Sequence, residues 1–219
     1  MEKRRRITIW AGLGSLAAFA LWTWAVCRIG VQPIGPNGSR VGFGEMNHWF
    51  HQLTGVHMGL YTVTDWLGLV PVCFVLGFGL LGLVQLIRRR SLRKVDPDIL
   101  LLGGFYILVL GAYLLFEALA VNYRPILIDG YLEASYPSST TLLALCVIPT
   151  GMLRQLQARL QSRMLRRSLL VLLGAFTGFM VIGRLLSGAH WLTDIIGGVL
   201  LSAGLVLLYQ GLSGQSLAR

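Results

Sequence analysis

The sequence predicts an all-α integral membrane protein with six transmembrane helices and an interfacial helix in the first outer loop. Of its 219 residues, 55% are hydrophobic and only 13% are charged, whereas about a quarter of a soluble domain is charged. Apolar runs of about 20 residues, long enough to cross roughly 30 Å of hydrocarbon, recur along the chain. The predicted spans cover residues 7–27, 66–87, 99–121, 136–153, 168–187 and 191–210. Residues 1–219 are therefore expected to form a single six-span membrane domain.

The fourth and sixth runs are less regular than the others, since the fourth is short and the sixth begins with polar residues. The first run follows the basic segment KRRR, as the apolar region of a signal peptide would. It is longer than the about 7–15 apolar residues of a signal peptide, and no small-residue cleavage site follows it. We therefore expect an uncleaved first transmembrane helix. The fourth run also contains Pro149.

The basic residues alternate between the two sides of the predicted bundle. Short cytoplasmic loops of membrane proteins are enriched in Lys and Arg, so both termini are expected to be cytoplasmic. The net charge of +10 is then mainly a topology signal, with anionic-lipid contact by the amphipathic segment 154–167, and it does not indicate nucleic-acid binding. Most of the 19 basic residues lie on this side: Lys3, Arg4, Arg5, Arg6, Arg88, Arg89, Arg90, Arg93, Lys94, Arg154, Arg159, Arg163, Arg166, Arg167 and Arg219.

The first outer loop, residues 28–65, is long and rich in aromatic and leucine residues. This composition is typical of a helix that lies in the membrane interface. The histidines of the loop are read as interfacial or loop residues rather than metal ligands, and the three cysteines as buried thiols, because neither set has the spacing of a metal site or a disulfide framework. These residues are His48, His51, His57, Cys27, Cys73 and Cys146.

Several residues at the outer ends of the later spans suggest phosphate chemistry. Arg124 closes the third span and Arg184 closes the fifth, and guanidinium groups match phosphate oxygens. His190 and Asp194 have the i, i+4 spacing that lets a carboxylate orient an imidazole on one helix face. The turn Pro-Ser-Ser-Thr, residues 137–140, precedes the fourth span and offers backbone N–H groups to an anion.

These residues carry a family resemblance. The sequence resembles the type 2 phosphatidic acid phosphatase superfamily, the membrane lipid phosphate phosphatases, whose signature is Lys, six residues, Arg-Pro; then Pro-Ser-Gly-His; then Ser-Arg, five residues, His, three residues, Asp. The chain has Arg124-Pro125, Pro137-Ser138, and Arg184, His190 and Asp194 at the family spacing. The segments LTGVHMGLYTVTDWLG and EASYPSS are similar to bacterial members, which implies a bacterial cytoplasmic membrane with the site facing outward.

The resemblance implies a role for each matched residue. His190 would attack phosphorus to form a phosphohistidine, and Asp194 would orient its ring. The phosphoryl oxygens would be bound by Arg124, Ser138, Ser139, Thr140 and Arg184. No metal and no cofactor is expected.

Two departures from the signature bear on activity. Ser139-Thr140 replaces Gly-His, so the histidine that protonates the leaving group is missing, and Glu117, next to Ala118, replaces the lysine. Loss of a general acid costs about 10²–10⁴-fold, but a phosphate leaving group needs little protonation since its second pKa is about 6. This favours a lipid diphosphate, such as a polyprenyl diphosphate, as substrate.

Two alternatives remain open from the sequence. The chain could be a weakened or inactive family member that binds or moves phosphorylated lipids, which Glu117 supports because an ionisable residue within a span is a functional candidate. An ordinary transporter or channel is less supported, since the spans show no inverted repeat. The expected partners are a phosphorylated lipid and membrane lipids. The sequence does not indicate an oligomeric state.

Overall fold

The computed structural model describes residues 2–151 and 162–213, which contain eight α-helices and no β-strand. Two 3₁₀ turns, Pro36–Gly38 and Leu92–Lys94, join helices in this part of the chain. The α-helices are α1 (Glu2–Arg28), α2 (Gly44–Thr54), α3 (Met58–Leu67), α4 (Leu69–Arg89), α5 (Pro97–Leu119), α6 (Ser139–Gly151), α7 (Arg163–Leu186) and α8 (Leu192–Ser213).

The described helices match the predicted spans in type and order but not in number. Five stretches are long and apolar enough to cross a membrane: α1, the continuous pair α3–α4, α5, α7 and α8. The predicted fourth span, 136–153, becomes α6, whose described part has 13 residues. It begins later than predicted because the polar turn continues through Ser138, and its predicted end lies outside the described residues. The six-span count is therefore not established by helix length.

The first outer loop folds into two helices, α2 and α3, where one interfacial helix was predicted. Helix α3 runs on into α4 with a single residue, Gly68, between them. The second predicted span, residues 66–87, thus lies within a longer apolar stretch, Met58–Arg89, which begins eight residues earlier. The predicted position of α2 in the membrane interface stays a prediction.

Helix α6 is the central element of the bundle. It packs against α4, α5, α7 and α8, and Leu142, Ala144 and Val147 on it are fully buried. Aromatic side chains of neighbouring segments, among them Phe105 and Tyr136, complete the core around it. The described surface of α6 therefore faces mainly protein rather than lipid.

Helix α1 lies along α8 in close contact. A Cβ atom on Gly204 would come within 2.6 Å of Leu16, and one on Gly211 within 2.4 Å of Ile9. The missing side chains let the two helices approach closely, as is common where membrane helices pack. The Arg5 Nε atom also donates to the Gly211 carbonyl over 2.9 Å.

The cysteines correct one sequence prediction. Cys146 is buried, but Cys27 and Cys73 are exposed on the surface of the bundle. Both stand on helices with outward-facing apolar surfaces, where hydropathy alone does not distinguish lipid contact from burial.

Candidate active site

Three chain segments meet at one end of the bundle. They are the loop after α5, the turn that begins α6, and the loop that joins α7 to α8. Arg124 stands in the loop after α5, His190 in the loop before α8, and Arg184 near the end of α7. All three are buried, with 8%, 3% and 2% of their surface exposed, respectively. Buried charged residues require partners, and their partners define the site.

His190 faces Arg124 directly. Arg124 Nη1 lies 3.3 Å from His190 Nε2, and a guanidinium can only donate. Nε2 is therefore the unprotonated ring nitrogen and Nδ1 carries the hydrogen. This is the tautomer that a nucleophilic histidine needs.

Asp194 lies behind the His190 ring. Its Oδ2 atom is 3.9 Å from His190 Nδ1, which is electrostatic contact but longer than a hydrogen bond. Nδ1 has no hydrogen-bond partner among the described residues. The carboxylate is thus placed on the correct side of the ring to support the Nδ1–H tautomer.

Four donors hold the Asp194 carboxylate, which is fully buried. Asn122 Nδ2 donates to Oδ1 over 3.0 Å, and the Trp191 backbone N–H donates to Oδ2 over 3.0 Å. The Ser135 hydroxyl donates to Oδ2, and the Thr193 hydroxyl lies 3.4 Å from Oδ1. We name Asn122, Ser135, Thr193 and Asp194, with Asn47, the Asp194 network. Asn47, from α2, donates to the Thr193 hydroxyl over 3.0 Å.

A short hairpin explains how the loop after α5 reaches this network. Ser135 N donates to the Asn122 carbonyl over 2.9 Å, and Arg124 N donates to the Glu133 carbonyl over 3.0 Å. This antiparallel pairing sets Asn122 beside Ser135, and both then face Asp194. The pairing also places Glu133 alongside Arg124.

One nitrogen of the Arg184 guanidinium donates hydrogen bonds to two side-chain oxygens. Its Nη2 atom lies 2.8 Å from Asp65 Oδ1 on α3 and 2.7 Å from Thr140 Oγ1 at the start of α6. Its Nε atom is buried and has no partner among the described residues. Arg184 Nε–H is therefore free to donate a hydrogen bond to a phosphoryl oxygen.

Tyr61 connects the two arginines. Its ring centroid lies 4.8 Å from Arg184 Cζ and 5.8 Å from Arg124 Cζ, so both guanidinium groups stack on one ring. Arg124 also forms an ion pair with Glu133, with 2.9 Å between Nε and Oε2. Each arginine of the site is thus accompanied by one carboxylate.

The turn at residues 137–140 divides its predicted roles. The Ser138 backbone N–H donates to the Asp194 carbonyl over 3.2 Å, and its Oγ lies 3.5 Å from Thr141 N, where it caps α6. Ser139 is half-buried beside it. Thr140 contacts Arg184 and the Ser138 hydroxyl caps α6, and the binding of phosphoryl oxygens by Ser138, Ser139 and Thr140 stays a prediction.

Glu117 stands where the family signature has lysine. It is exposed, near the end of α5. The Tyr113 phenol lies within electrostatic range of Glu117, Arg124 and Glu133. The position therefore adds negative charge near Arg124 where the signature would add positive charge.

Burial sets the protonation of His190. Burial, the positive charge of Arg124 and that of Arg184 together lower the pKa of His190 to about 4 against the smaller opposing effect of Asp194. The imidazole is therefore neutral at physiological pH. A neutral ring with a free Nε2 lone pair is able to attack an electrophile.

The first outer loop supports the His190 loop. His57 N donates to the Ser187 carbonyl over 2.9 Å, and His51 Nε2 lies 3.2 Å from the Gly188 carbonyl. Gly188 has φ +71°, and a Cβ there would lie 2.2 Å from the Gly55 carbonyl oxygen. Glycine is required here both for the backbone conformation and for the close approach of the two loops. His48 lies away from this support, and its Nε2 atom is 2.8 Å from Nε2 of exposed Gln52.

Sequence reasoning missed several residues of the site. Tyr61 and Asp65 were read as part of an interfacial segment, although their i, i+4 spacing on a helix was available as a signal. Glu133 and Ser135 lie in the segment EASYPSS, which was noted only for its resemblance to bacterial members, and Asn122 was not singled out. Among the described residues, no three His, Cys, Asp or Glu side chains form a group that could hold a metal ion.

A buried histidine–aspartate pair beside two arginines, at one end of a bundle of apolar helices, defines a helical membrane protein with a site for an anion. The chain belongs to the PAP2 superfamily, because the model of that family matches residues 70–215, more than half of the chain. The resemblance drawn from the motifs is therefore confirmed, and the chain is an integral membrane protein. Tyr61 and Asp65 precede the matched region.

A solved structure shares the fold. It is the crystal structure of a transmembrane PAP2 type phosphatidylglycerolphosphate phosphatase from Bacillus subtilis, with 18% sequence identity and a TM-score of 0.59. The alignment covers 94% of this chain and 96% of that chain. No curated protein sequence matches the chain.

Proposed function

We propose that the protein is a membrane phosphatase that hydrolyses a phosphorylated lipid through a phosphohistidine on His190. The observation that carries the proposal is the 3.3 Å contact between Arg124 Nη1 and His190 Nε2, because it sets a phosphate-binding cation against a nucleophilic nitrogen. Membership of the PAP2 superfamily supports phosphatase chemistry.

The proposed reaction has two steps. The phosphoryl oxygens replace His190 as the acceptors of the Arg124 hydrogen bond, and they also accept from the free Arg184 Nε. His190 Nε2 then attacks phosphorus, the bond to the lipid oxygen breaks, and the lipid leaves with that electron pair. Water next attacks the phosphohistidine, the N–P bond breaks, and phosphate departs. Catalysis in such a site rests on positioning and charge stabilisation.

The proposed location is the outer face of the bacterial cytoplasmic membrane. Both termini and the basic loops would lie in the cytoplasm, while the loop after α5, the turn before α6 and the loop before α8 would lie at the opposite surface. A site at that surface meets the headgroups of lipids whose chains stay in the bilayer. The substrate would be a lipid phosphate or diphosphate, for example a polyprenyl diphosphate.

A second candidate function is binding or movement of a phosphorylated lipid without hydrolysis. The contact of Thr140 with Arg184 favours it, because a hydroxyl stands where the family signature has an acid. The exposed Glu117, in place of a lysine, weakens phosphate attraction in the same way.

Phosphate release by the purified protein separates the two candidates. The protein in liposomes would be given lipid monophosphates and diphosphates, and trapped phosphohistidine would be measured with released phosphate. His190→Ala should abolish both signals, a loss of about 10⁴-fold or more for a nucleophile, while binding of the lipid persists. His48→Ala, a change of an exposed histidine on α2, is the matched control and should keep full activity.

Equal phosphate release by His190→Ala and by the parent protein would contradict the nucleophile role. If no lipid phosphate is hydrolysed while lipid phosphates still bind tightly, the binding function is the correct one.

A further inference from the structure

The two arginines of the site carry little net positive charge between them. Asp65 contacts Arg184 and Glu133 contacts Arg124, each over less than 3 Å between nitrogen and oxygen. The buried Asp194 carboxylate adds a further negative charge beside His190. Attraction of a phosphoryl group depends on the sum of these charges. Two cationic and three anionic groups leave the site without a positive excess, so a ligand with two negative charges is disfavoured more strongly than a ligand with one.

Thr140 has a specific geometry toward this ligand. Its Oγ1 accepts a hydrogen bond from Arg184 Nη2 over 2.7 Å, so its own hydrogen points away from the guanidinium. A hydroxyl in this position can accept one proton while it donates another. It relays a proton but does not supply one.

We propose that the site takes the terminal phosphoryl group of a lipid in its singly protonated form, and that this proton reaches the leaving oxygen through Thr140. The proposal rests on the phosphatase function above and identifies the source of the proton that the missing histidine would supply. His190 Nε2 attacks phosphorus as the bond to the lipid oxygen breaks. The phosphoryl O–H gives its proton to Thr140, which passes its own to the leaving oxygen. The products are a phosphohistidine and the protonated leaving group, which is a lipid alcohol from a monophosphate and a lipid monophosphate from a diphosphate.

The charged and titratable groups around the phosphoryl position come from every packed segment. A terminal phosphoryl group loses its second proton near a pKa of about 6, whereas the pKa of about 4 leaves His190 neutral from pH 5 to 8. The pH response in that range is therefore attributed to the ligand. The groups are Tyr61 and Asp65 from α3, Tyr113 and Glu117 from α5, Arg124 and Glu133 from the hairpin, Arg184 from α7, His190 from the loop before α8, and Asp194 from α8.

Binding to the His190→Ala variant tests the protonation state without turnover. A long-chain alkyl phosphate in mixed micelles should lose affinity about tenfold for each pH unit above 6, as its singly protonated fraction falls. The methyl ester of the same phosphate carries one charge at every pH used and should bind equally from pH 5 to 8. Its constancy also controls for titration of protein groups.

A second substitution tests whether the carboxylate of Asp65 causes the weak binding of the doubly charged ligand. Asp65→Asn keeps an oxygen for Arg184 and removes one negative charge, so the doubly charged ligand should gain about tenfold or more in affinity at pH 8. Glu45→Gln, which removes an exposed carboxylate on α2, should leave the loss of affinity above pH 6 unchanged.

The proton relay through Thr140 is tested with two substrates whose leaving groups differ in their need for a proton. Thr140→Val should lower kcat for an alkyl phosphate by about 10²-fold and leave kcat for a nitrophenyl phosphate nearly unchanged, since a phenolate leaves without a proton. Thr140→Ser should restore the alkyl reaction. Equal losses for both substrates would overturn the relay.

The outcomes separate this inference from the proposed function. Affinity for the alkyl phosphate that is constant or rises above pH 6 overturns the singly protonated ligand, even where His190-dependent turnover is observed. Affinity that falls as stated, in a protein that releases no phosphate from any lipid, supports that ligand state and overturns the phosphatase function together with the relay.

Discussion

The two faces of His190 are held in different ways. Behind the ring, the Asp194 network is buried and its members bond one another, so Asn122, Thr193 and Asp194 are each less than 2% exposed. In front of the ring, Arg184 and Arg124 are held by carboxylates whose side chains are 55% and 40% exposed. The first face is closed to water, whereas on the second face water reaches the carboxylate partners of the buried arginines.

The difference indicates which contacts a ligand can replace. In each pair a buried arginine meets a partly exposed carboxylate, so water can hydrate Asp65 or Glu133 when a phosphoryl group binds the arginine, while the negative charge of the carboxylate stays close by. A buried polar network is costly to leave unsatisfied. The hydrogen bonds of the Asp194 network behind the His190 ring are therefore expected to stay in place when a ligand binds. The site therefore combines a fixed nucleophile with exchangeable anion contacts.

Changing the front face at Thr140 should give the largest effect. Thr140→His places an acid next to the leaving oxygen and should raise kcat/KM for an alkyl phosphate by about 10²-fold near pH 6, where an imidazole is partly protonated. A lipid diphosphate should gain little, because its phosphate leaves without a proton. Phosphate release from the two substrates measures the difference, and Ser139→His at the neighbouring residue is the matched control.

The lysine position is tested with the same assay. Glu117→Lys and Ala118→Lys would be measured alone and with Thr140→His, because effects within one site need not add. An equal gain for both substrates in Thr140→His would contradict a role in leaving-group protonation.

Changing the rear face should cost stability as well as activity. Asn122→Ala removes the 3.0 Å hydrogen bond to Asp194 Oδ1 and leaves a buried carboxylate oxygen less satisfied, which costs about 1–3 kcal/mol of unfolding free energy. We expect kcat to fall more than KM rises. Thermal unfolding in micelles and steady-state kinetics check this, with Gln52→Ala on the exposed side of α2 as control. An unchanged unfolding temperature would argue against a rigid rear face.

Substitution of Gly188 should disturb the contact between the His190 loop and the first outer loop. Gly188→Ala forces a side chain into a backbone with φ +71°, at about 1–2 kcal/mol for the conformation, and it pushes the loop away from Gly55. Lower unfolding temperature and lower phosphate release are both expected. Gly59→Ala, in open space on α3, should be neutral or slightly stabilising. A neutral Gly188→Ala would show that the loop contact is dispensable.

The smallest expected effect is a pH dependence of stability. The pKa of His190 is about 4 in the folded protein against an ordinary 6.5, so between these values the unfolded state binds more protons. The free energy of unfolding should therefore fall as the pH is lowered from 6.5 towards 4 and stay level above 6.5 with respect to this group. His190→Gln should reduce that slope, and His57→Gln should not. A slope that is the same in all three proteins would place the titration elsewhere.

The sequence by itself determined the helical class, five of the spans and the order of the three motif segments. These follow from hydropathy and from short spacings, since an apolar run of about 20 residues and an i, i+4 pair act through local geometry. It also determined the family, because the spacing from Arg184 to Asp194 lies within one stretch of chain.

Tertiary structure alone decided which side chains complete the site. Asp65 is 119 residues from Arg184 in the chain, and no local pattern pairs residues at that distance. The described part of α6 is packed among four other helices, and the Ser138 hydroxyl, whose binding to phosphate stays a prediction, caps the start of that helix. The signature lysine and histidine positions, Glu117 and Thr140, could be read as losses from the sequence. That Thr140 and Asp65 share one nitrogen of Arg184 depends on how α3, α6 and α7 pack, and such packing is a property of the whole bundle.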